Sequence, residues 1–283
     1  MTSPPTRSFL PNTHIEIVNP DVPRRGFRHA LLDFDGTVSL LRAGWPDVMV
    51  PMMVDVLAEL NTGESRDELT EVVREFVYRL TGKQTIYQMI ELAEQVKRRG
   101  GSPRDPLEYK RQYLALLWEH IKDRVEGLKS GRFAPEQMAV PGAFDLIENL
   151  HRRGVKLYLA SGTDRPYVLD EAQALGLTKY FGDDIYGAVD DYKTYSKRLV
   201  IQRIIAEHNL SGPEFAAFGD GYVEIEDAKA VGGIAIGAAV DEYQQTPIDS
   251  WKRERLIRAG TDVIVPDWRE QKTLVAWLFG EVQ

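Results

Sequence analysis

The sequence predicts an α/β fold, a doubly wound parallel sheet with an all-helical module inserted after its first strand. Three observations carry this. Short apolar runs recur along the 283-residue chain. Amphipathic stretches of helical length separate most of them. One long early stretch holds helical patterns and no strand.

The apolar runs come first. Ala30-Leu31-Leu32 ends on Asp33, Val155-Lys156-Leu157-Tyr158-Leu159-Ala160 ends on Ser161, and Phe215-Ala216-Ala217-Phe218 runs into Gly219-Asp220. Gly233-Ile234-Ala235-Ile236, Val263-Ile264-Val265 and a weaker run around Ile185-Tyr186 complete the set. Continuous rather than alternating hydrophobicity is the mark of strands covered on both faces. Helices are expected over 144–153 with Gly154 as its stop, over 165–175 with Gly176 as its stop, and over 196–208. The inserted module shows helical patterns over 48–60, 66–80, 86–99 and 107–128, with breaks at Asn61-Thr62-Gly63, Thr81-Gly82-Lys83 and Gly100-Gly101-Ser102-Pro103. Residues 26–43 and 138–283 are therefore expected to form the core, 44–137 the helical module, and 1–25 an N-terminal extension.

Composition narrows the function. With 43% hydrophobic and 28% charged residues, the chain can bury a sizeable core. Acids outnumber Lys and Arg by 43 to 35, a net charge of −8. That balance argues against non-specific nucleic-acid binding, which rests on cations neutralising phosphates, but leaves room for a local cationic pocket. The absence of cysteine excludes disulfides, thiolate catalysis and Cys-ligated zinc or iron–sulfur centres, and accords with a reducing compartment. Pro4, Pro5, Pro11 and Pro20 break the first stretch, and no window approaches the roughly 18 apolar residues of a spanning helix. A cytoplasmic protein with no membrane or nucleic-acid partner is the expectation.

Four short motifs stand at or just after the predicted strand ends, where ligands of open α/β sheets bind. Asp33-Phe34-Asp35-Gly36-Thr37 puts two carboxylates at i and i+2, pointing the same way from an extended segment. Such a pair can divide labour, one attacking phosphorus and the other handling a proton; an ordinary Asp-Gly turn is the plainer reading. Ser161-Gly162-Thr163-Asp164 offers a hydroxyl and adjacent N–H groups as an oxyanion cradle, while Thr163 or Asp164 equally suits a helix N-cap. Lys197, at the start of a helical run, or alternatively Lys193, could neutralise a phosphoryl group, although most lysines are solvated. Gly219-Asp220-Gly221-Tyr222-Val223-Glu224 places an acid at the tip of a buried strand, where packing gives no reason for one. Asp33 and Asp220 together would supply hard oxygen ligands for Mg²⁺.

In chain order the pattern is carboxylate pair, Ser-Gly, Lys, Gly-Asp, and with it the chain resembles the haloacid dehalogenase superfamily of phosphotransferases across the predicted core. The position of the helical insertion is similar to that of the superfamily's helical-cap subclass, which includes phosphatases and β-phosphoglucomutase-like enzymes. The resemblance implies a Rossmann-like core with an all-helical cap. It further implies that Asp33 attacks the phosphoryl group to give an aspartyl-phosphate. Asp35 would protonate the leaving oxygen and then activate water, and Ser161, Gly162 and Lys197 would hold the phosphoryl oxygens. Mg²⁺ would be bound by Asp33, the Asp35 backbone carbonyl and Asp220, with Glu224 as a further ligand candidate. Glu224 stands where the family usually carries a second aspartate, a departure that leaves its role open.

Asp35 points to a phosphoester, because relatives that cleave carbon–halogen or carbon–phosphorus bonds lack an acid there. Thr37 resembles the phosphatases more than the sugar-phosphate mutases. The expected activity is hydrolysis of a small phosphorylated, sugar-phosphate-like metabolite. A phosphosugar mutase and an inorganic pyrophosphatase are the alternatives, and a non-catalytic phosphometabolite-binding protein is the reading from another class. In helical-cap relatives a Gly-containing cap loop reads the leaving group, which makes Lys83 and Gln84 the specificity candidates; an ordinary helix–helix turn is the simpler account of them. The aromatic residues Tyr109, Tyr113 and Trp118 are expected in the core of the helical module.

Overall fold

The computed structural model describes residues 7–243 and 245–282. Its centre is one eight-stranded sheet in the order β1-β2-β8-β7-β6-β3-β4-β5. The strands are β1 (Ser8–Phe9), β2 (Glu16–Ile17), β3 (His29–Asp33), β4 (Lys156–Asp164), β5 (Ile185–Ala188), β6 (Phe215–Gly219), β7 (Ile234–Ala238) and β8 (Val263–Val265). Strands β3 to β8 run parallel. Alternate residues of β3 face opposite sides: Ala30 and Leu32 belong to one apolar cluster and Leu31 to the other. Burial on both faces is why the strand reads as an unbroken apolar run. The chain leaves β3 with β4 on one side and β6 on the other, so the end of β3 is the switch point where an open α/β sheet leaves a crevice.

Between β3 and β4 stand four helices, α1 (Trp45–Ala58), α2 (Arg66–Leu80), α3 (Thr85–Arg98) and α4 (Pro106–Lys129). Every end lies within three residues of the sequence expectation. Helix α1 begins earlier than its apolar pattern because Gly44 takes a left-handed turn and Pro46 pre-forms the first helical turn. Helix α2 opens on a capping box, with the Ser65 hydroxyl accepting from the Glu68 amide and the Glu68 carboxylate accepting from the Ser65 amide. Tyr109 and Tyr113 are buried as expected, whereas Trp118 is exposed.

The remaining helices are α5 (Ala143–Arg152), α6 (Arg165–Ala174), α7 (Thr178–Phe181), α8 (Lys197–His208), α9 (Tyr222–Ala230), α10 (Ser250–Arg258) and α11 (Gln271–Leu278). The sequence patterns did not reveal α7, α9, α10 or α11. None is longer than nine residues, and α9 and α10 interleave charges with few apolar positions, so helical periodicity is faint. Part of the expected N-terminal extension is also part of the sheet. Strands β1 and β2 add antiparallel to the β8 edge, Ile15 is fully buried, and Arg253 clamps Glu16 through two bonds of 2.7 and 2.5 Å. Residues 1–6 of that extension lie outside the described residues. Among the described residues, no helix is long and apolar enough to cross a membrane.

At the sheet end remote from the crevice, His29 Nδ1 and His208 Nε2 both contact the Tyr158 hydroxyl, at 2.9 and 3.1 Å. Burial, then the neighbouring His208 and Arg28, push the His29 pKa below its ordinary value. A proton is therefore bound more tightly by the unfolded chain, and stability falls as pH drops from about 6.5 toward the lower folded pKa, with no contribution above that window. His29→Gln should shrink the fall in melting temperature between about pH 7.5 and pH 5.5 by about 2 °C. An unchanged difference in a thermal-shift series would contradict this.

Candidate active site

The crevice is built from β3 outward. Asp33 ends the strand, and Gly36 turns the chain with φ +73°. A Cβ on Gly36 would sit 2.4 Å from Asp220 Oδ2 and 3.0 Å from Glu242 Oε1, so glycine is required both by the turn and by two converging carboxylates. Trp268, fully buried, holds the same loop by donating its indole N–H to the Thr37 carbonyl at 2.7 Å. The Thr37 hydroxyl accepts from the Asp220 amide at 3.0 Å, tying the first motif to the fourth.

Strand β4 runs past Ala160 through Ser161 to Asp164, with a register shift against β5 over this stretch. Bulges of this kind re-aim side chains beside active sites. Ser161 and Thr163 both donate to Asp35 Oδ2, at 2.9 and 3.0 Å. The other oxygen, Asp35 Oδ1, is buried without a hydrogen-bond partner. Arg42 Nε stands 3.8 Å from it, but that guanidinium is engaged with Glu171, its NH2 donating at 2.6 Å. Neither Arg42 nor the Thr163 hydroxyl was visible as a site residue in the sequence, because each gains its place through partners distant in the chain.

Lys197 opens α8, with the Ser196 hydroxyl capping the helix by accepting from the Leu199 amide. Its ammonium lies 2.7 Å from Asp33 Oδ1 and 2.9 Å from Glu224 Oε2. Burial alone would lower its pKa; Asp33 and Glu224 reverse the sign and hold it charged. Lys193, the alternative candidate, is exposed with its ammonium over the Tyr192 ring. Glu224 is fully buried; its Oε1 accepts from the Gly221 amide at 2.8 Å. Burial raises the Asp33 pKa well above the usual carboxylate range, against the pull of Lys197 and with the repulsion of Glu224 and Asp220.

Lys252 was also missed. It stands on α10, 28 residues beyond the last motif residue Glu224, and is buried with its ammonium 2.7 Å from both Asp220 Oδ2 and Glu242 Oε1. A lysine amid Trp251-Lys252-Arg253 carries no local signal; only the fold turns it inward.

Asp33, Asp220 and Glu224 each offer an oxygen, all within 4.8 Å of one another. Four carboxylates meet two ammoniums here, Asp33 and Glu224 at Lys197 and Asp220 and Glu242 at Lys252. An all-oxygen donor set with surplus negative charge fits a hard divalent cation such as Mg²⁺.

The helical module roofs the crevice. The cavity between them has a volume of about 200 Å³, with Asp33, Asp35, Ser161 and Lys197 below and Trp45, Tyr78, Lys83 and Tyr113 among the residues above. A Cβ on Gly162 would lie 2.7 Å from the Lys83 carbonyl, so the second motif and the roof loop touch backbone to backbone. Gln84 is buried beside the cavity, where its amide donates to the carbonyls of Tyr192 and Tyr195 at 3.0 and 2.8 Å. Arg255 reaches across from α10 to the carbonyls of Tyr78, Arg79 and Thr81 at the end of α2.

A family model described as haloacid dehalogenase-like hydrolase matches residues 27–232. Among solved structures, a β-phosphoglucomutase from Clostridium difficile aligns with a TM-score of 0.58 at 12% identity, covering 90% of this chain and 98% of its own. A predicted phosphoglycolate phosphatase from Haemophilus somnus gives 0.56 at 14% identity, covering 88% and 97%. A HAD family hydrolase from Deinococcus radiodurans, with bound phosphate and sodium, gives 0.50 at 18% identity, covering 91% and 97%. These neighbours share the fold. No curated protein matches the sequence.

Proposed function

Because the chain belongs to the haloacid dehalogenase-like hydrolases, we propose that it is a Mg²⁺-dependent phosphatase that hydrolyses a small phosphorylated, sugar-phosphate-like metabolite. The observation that carries this reading is the pair of carboxylates with unequal surroundings. Asp33 Oδ1 is held by Lys197 and by the Phe34 amide, which leaves Oδ2 for attack on phosphorus. Asp35 Oδ2 is held by two hydroxyls while Oδ1 has no partner, the setting of a group that exchanges a proton with a ligand.

In this mechanism a bond forms between Asp33 Oδ2 and phosphorus as the bond from phosphorus to the leaving oxygen breaks. Asp35 gives its proton to that oxygen. It then takes a proton from the water that cleaves the aspartyl-phosphate, restoring both carboxyl groups. Ser161, the Gly162 N–H and Lys197 hold the phosphoryl oxygens, and the phosphate bound to the D. radiodurans neighbour accords with such a cradle. Asp33, the Asp35 backbone carbonyl and Asp220, with Glu224 as a further candidate, would hold the Mg²⁺, which supplies charge neutralisation for the phosphoryl group when bound. Residues 44–137 act as the cap and 26–43 with 138–283 as the catalytic core. Lys83 reads the leaving group from the roof, and Gln84 seats its loop. The cavity of about 200 Å³ admits a small substrate, and its helical roof limits the access of water during transfer. A cytoplasmic location belongs to the same reading.

A phosphate-release panel over sugar phosphates, nucleotides and pyrophosphate tests it. Release from a small organic phosphomonoester, abolished by EDTA and restored by Mg²⁺, is expected. Isomerisation of a hexose 1-phosphate without release would make the enzyme a mutase. Release from pyrophosphate alone would overturn the substrate class, and binding without turnover would overturn the enzyme reading.

A further inference from the structure

The end of β3 gathers a lysine and an acid that the mechanism above does not use. Lys252 is buried, with its ammonium shared at 2.7 Å each between Asp220 Oδ2 and Glu242 Oε1. Asp220 is also one of the three carboxylates whose oxygens cluster within 4.8 Å. Glu242 is not one of that cluster, and the missing Cβ of Gly36 leaves the space in which Asp220 and Glu242 converge. The segment carrying both partners is anchored, since Asp249 caps α10 by accepting from the Lys252 amide at 2.9 Å.

An ammonium and a divalent cation on one carboxylate repel each other strongly in a poorly solvated pocket. Lysine carries a compact charge on a flexible stem with three donors, so it can leave one acceptor for another. A buried ammonium with no second acceptor would instead be stranded, at high cost.

We propose that Lys252 is a positioning residue that occupies Asp220 until a divalent cation binds, and that Glu242 is the acceptor that receives it. The proposal rests on the Mg²⁺ reading of the site and assigns these two residues a part in metal binding. Lys252 competes with the metal for Asp220; Glu242 weakens that competition by offering the ammonium somewhere else to go.

Titration calorimetry of the substrate-free full chain with Mn²⁺ alone tests this without an activity assay. K252M should bind Mn²⁺ at least roughly tenfold more tightly than wild type, a factor worth about 1.4 kcal/mol. E242Q should bind roughly tenfold more weakly, because the ammonium then has only Asp220 as a charged partner. Simple long-range charge effects would give the same two signs, so the double variant decides. If Glu242 acts through Lys252, the E242Q loss vanishes in the K252M background and K252M/E242Q binds like K252M. Persistence of that loss in the double variant overturns the proposal, as does a K252M affinity equal to wild type. E242Q is an independent arm should K252M not fold: wild-type affinity in E242Q overturns the proposal by itself. Silence of wild type and every variant toward Mn²⁺ would overturn the Mg²⁺ reading itself, an outcome distinct from equal binding by all.

Discussion

Asp33→Asn should lower phosphate release by at least about 10⁴-fold, the scale seen when a covalent nucleophile is removed. The amide matches the carboxylate in shape and can still accept from the Phe34 amide, which now donates to Asp33 Oδ1 at 2.8 Å. It cannot form an acyl-phosphate. Losing the charge also relieves the mutual repulsion of Asp33, Glu224 and Asp220, whose oxygens lie within 4.8 Å of one another, so the variant should fold, and a melting temperature near that of wild type is the control. Steady-state phosphate release decides the matter. Activity within tenfold of wild type in a folded Asp33→Asn protein would remove Asp33 from the mechanism, and with it the aspartyl-phosphate.

Asp35→Asn should cost about 10²–10⁴-fold on an alkyl phosphate, the usual worth of a positioned acid–base group. The two tasks given to Asp35 separate by leaving group. An alkoxide needs the proton, so the first step fails. A nitrophenolate leaves without one, so the first step survives and the second, which needs a base for water, becomes limiting. The variant should therefore release a burst of nitrophenol near one equivalent per enzyme and then turn over slowly, because the intermediate on Asp33 accumulates. Equal losses on both substrates with no burst would assign Asp35 to another part, such as holding Ser161 and Thr163 in place. The geometry favours the proton role, since those hydroxyls bond only Oδ2 and leave Oδ1 without a hydrogen-bond partner.

Much of this site is legible in the sequence. Asp33, Ser161 and Asp220 stand at the ends of runs such as Ala30-Leu31-Leu32 and Phe215-Ala216-Ala217-Phe218, and a polar residue at the end of a strand buried on both faces has no packing reason to be there. Lys197 was preferred over Lys193 because a helix start fixes a side chain's direction, and in the structure it is Lys197 that lies beside Asp33. What stayed hidden was contributed by segments with weak local signatures. Helix α10 is short and polar, so Lys252 looked like one more solvated lysine. Arg42 belongs to a buried bridge whose partner, Glu171, is 129 residues away. Gln84 was grouped with Lys83 as a reader of substrate, but its amide is bonded to the Tyr192 and Tyr195 carbonyls, a contact across 108 and 111 residues.

The sequence by itself determined the α/β class, the inserted helices to within a few residues, and the set of acids, hydroxyl and lysine that meet at the end of β3. It could do so because strand burial and helix periodicity are local properties, written into neighbouring residues. Only the tertiary structure decided how those groups are charge-balanced: Asp35 bonded to Ser161 across 126 residues, Glu224 folded back on Lys197, and Lys252 suspended between Asp220 and Glu242. Those pairings depend on which distant segments share one crevice, and on burial making each unpaired charge costly enough to select a partner. Neither condition leaves a pattern in the order of the residues.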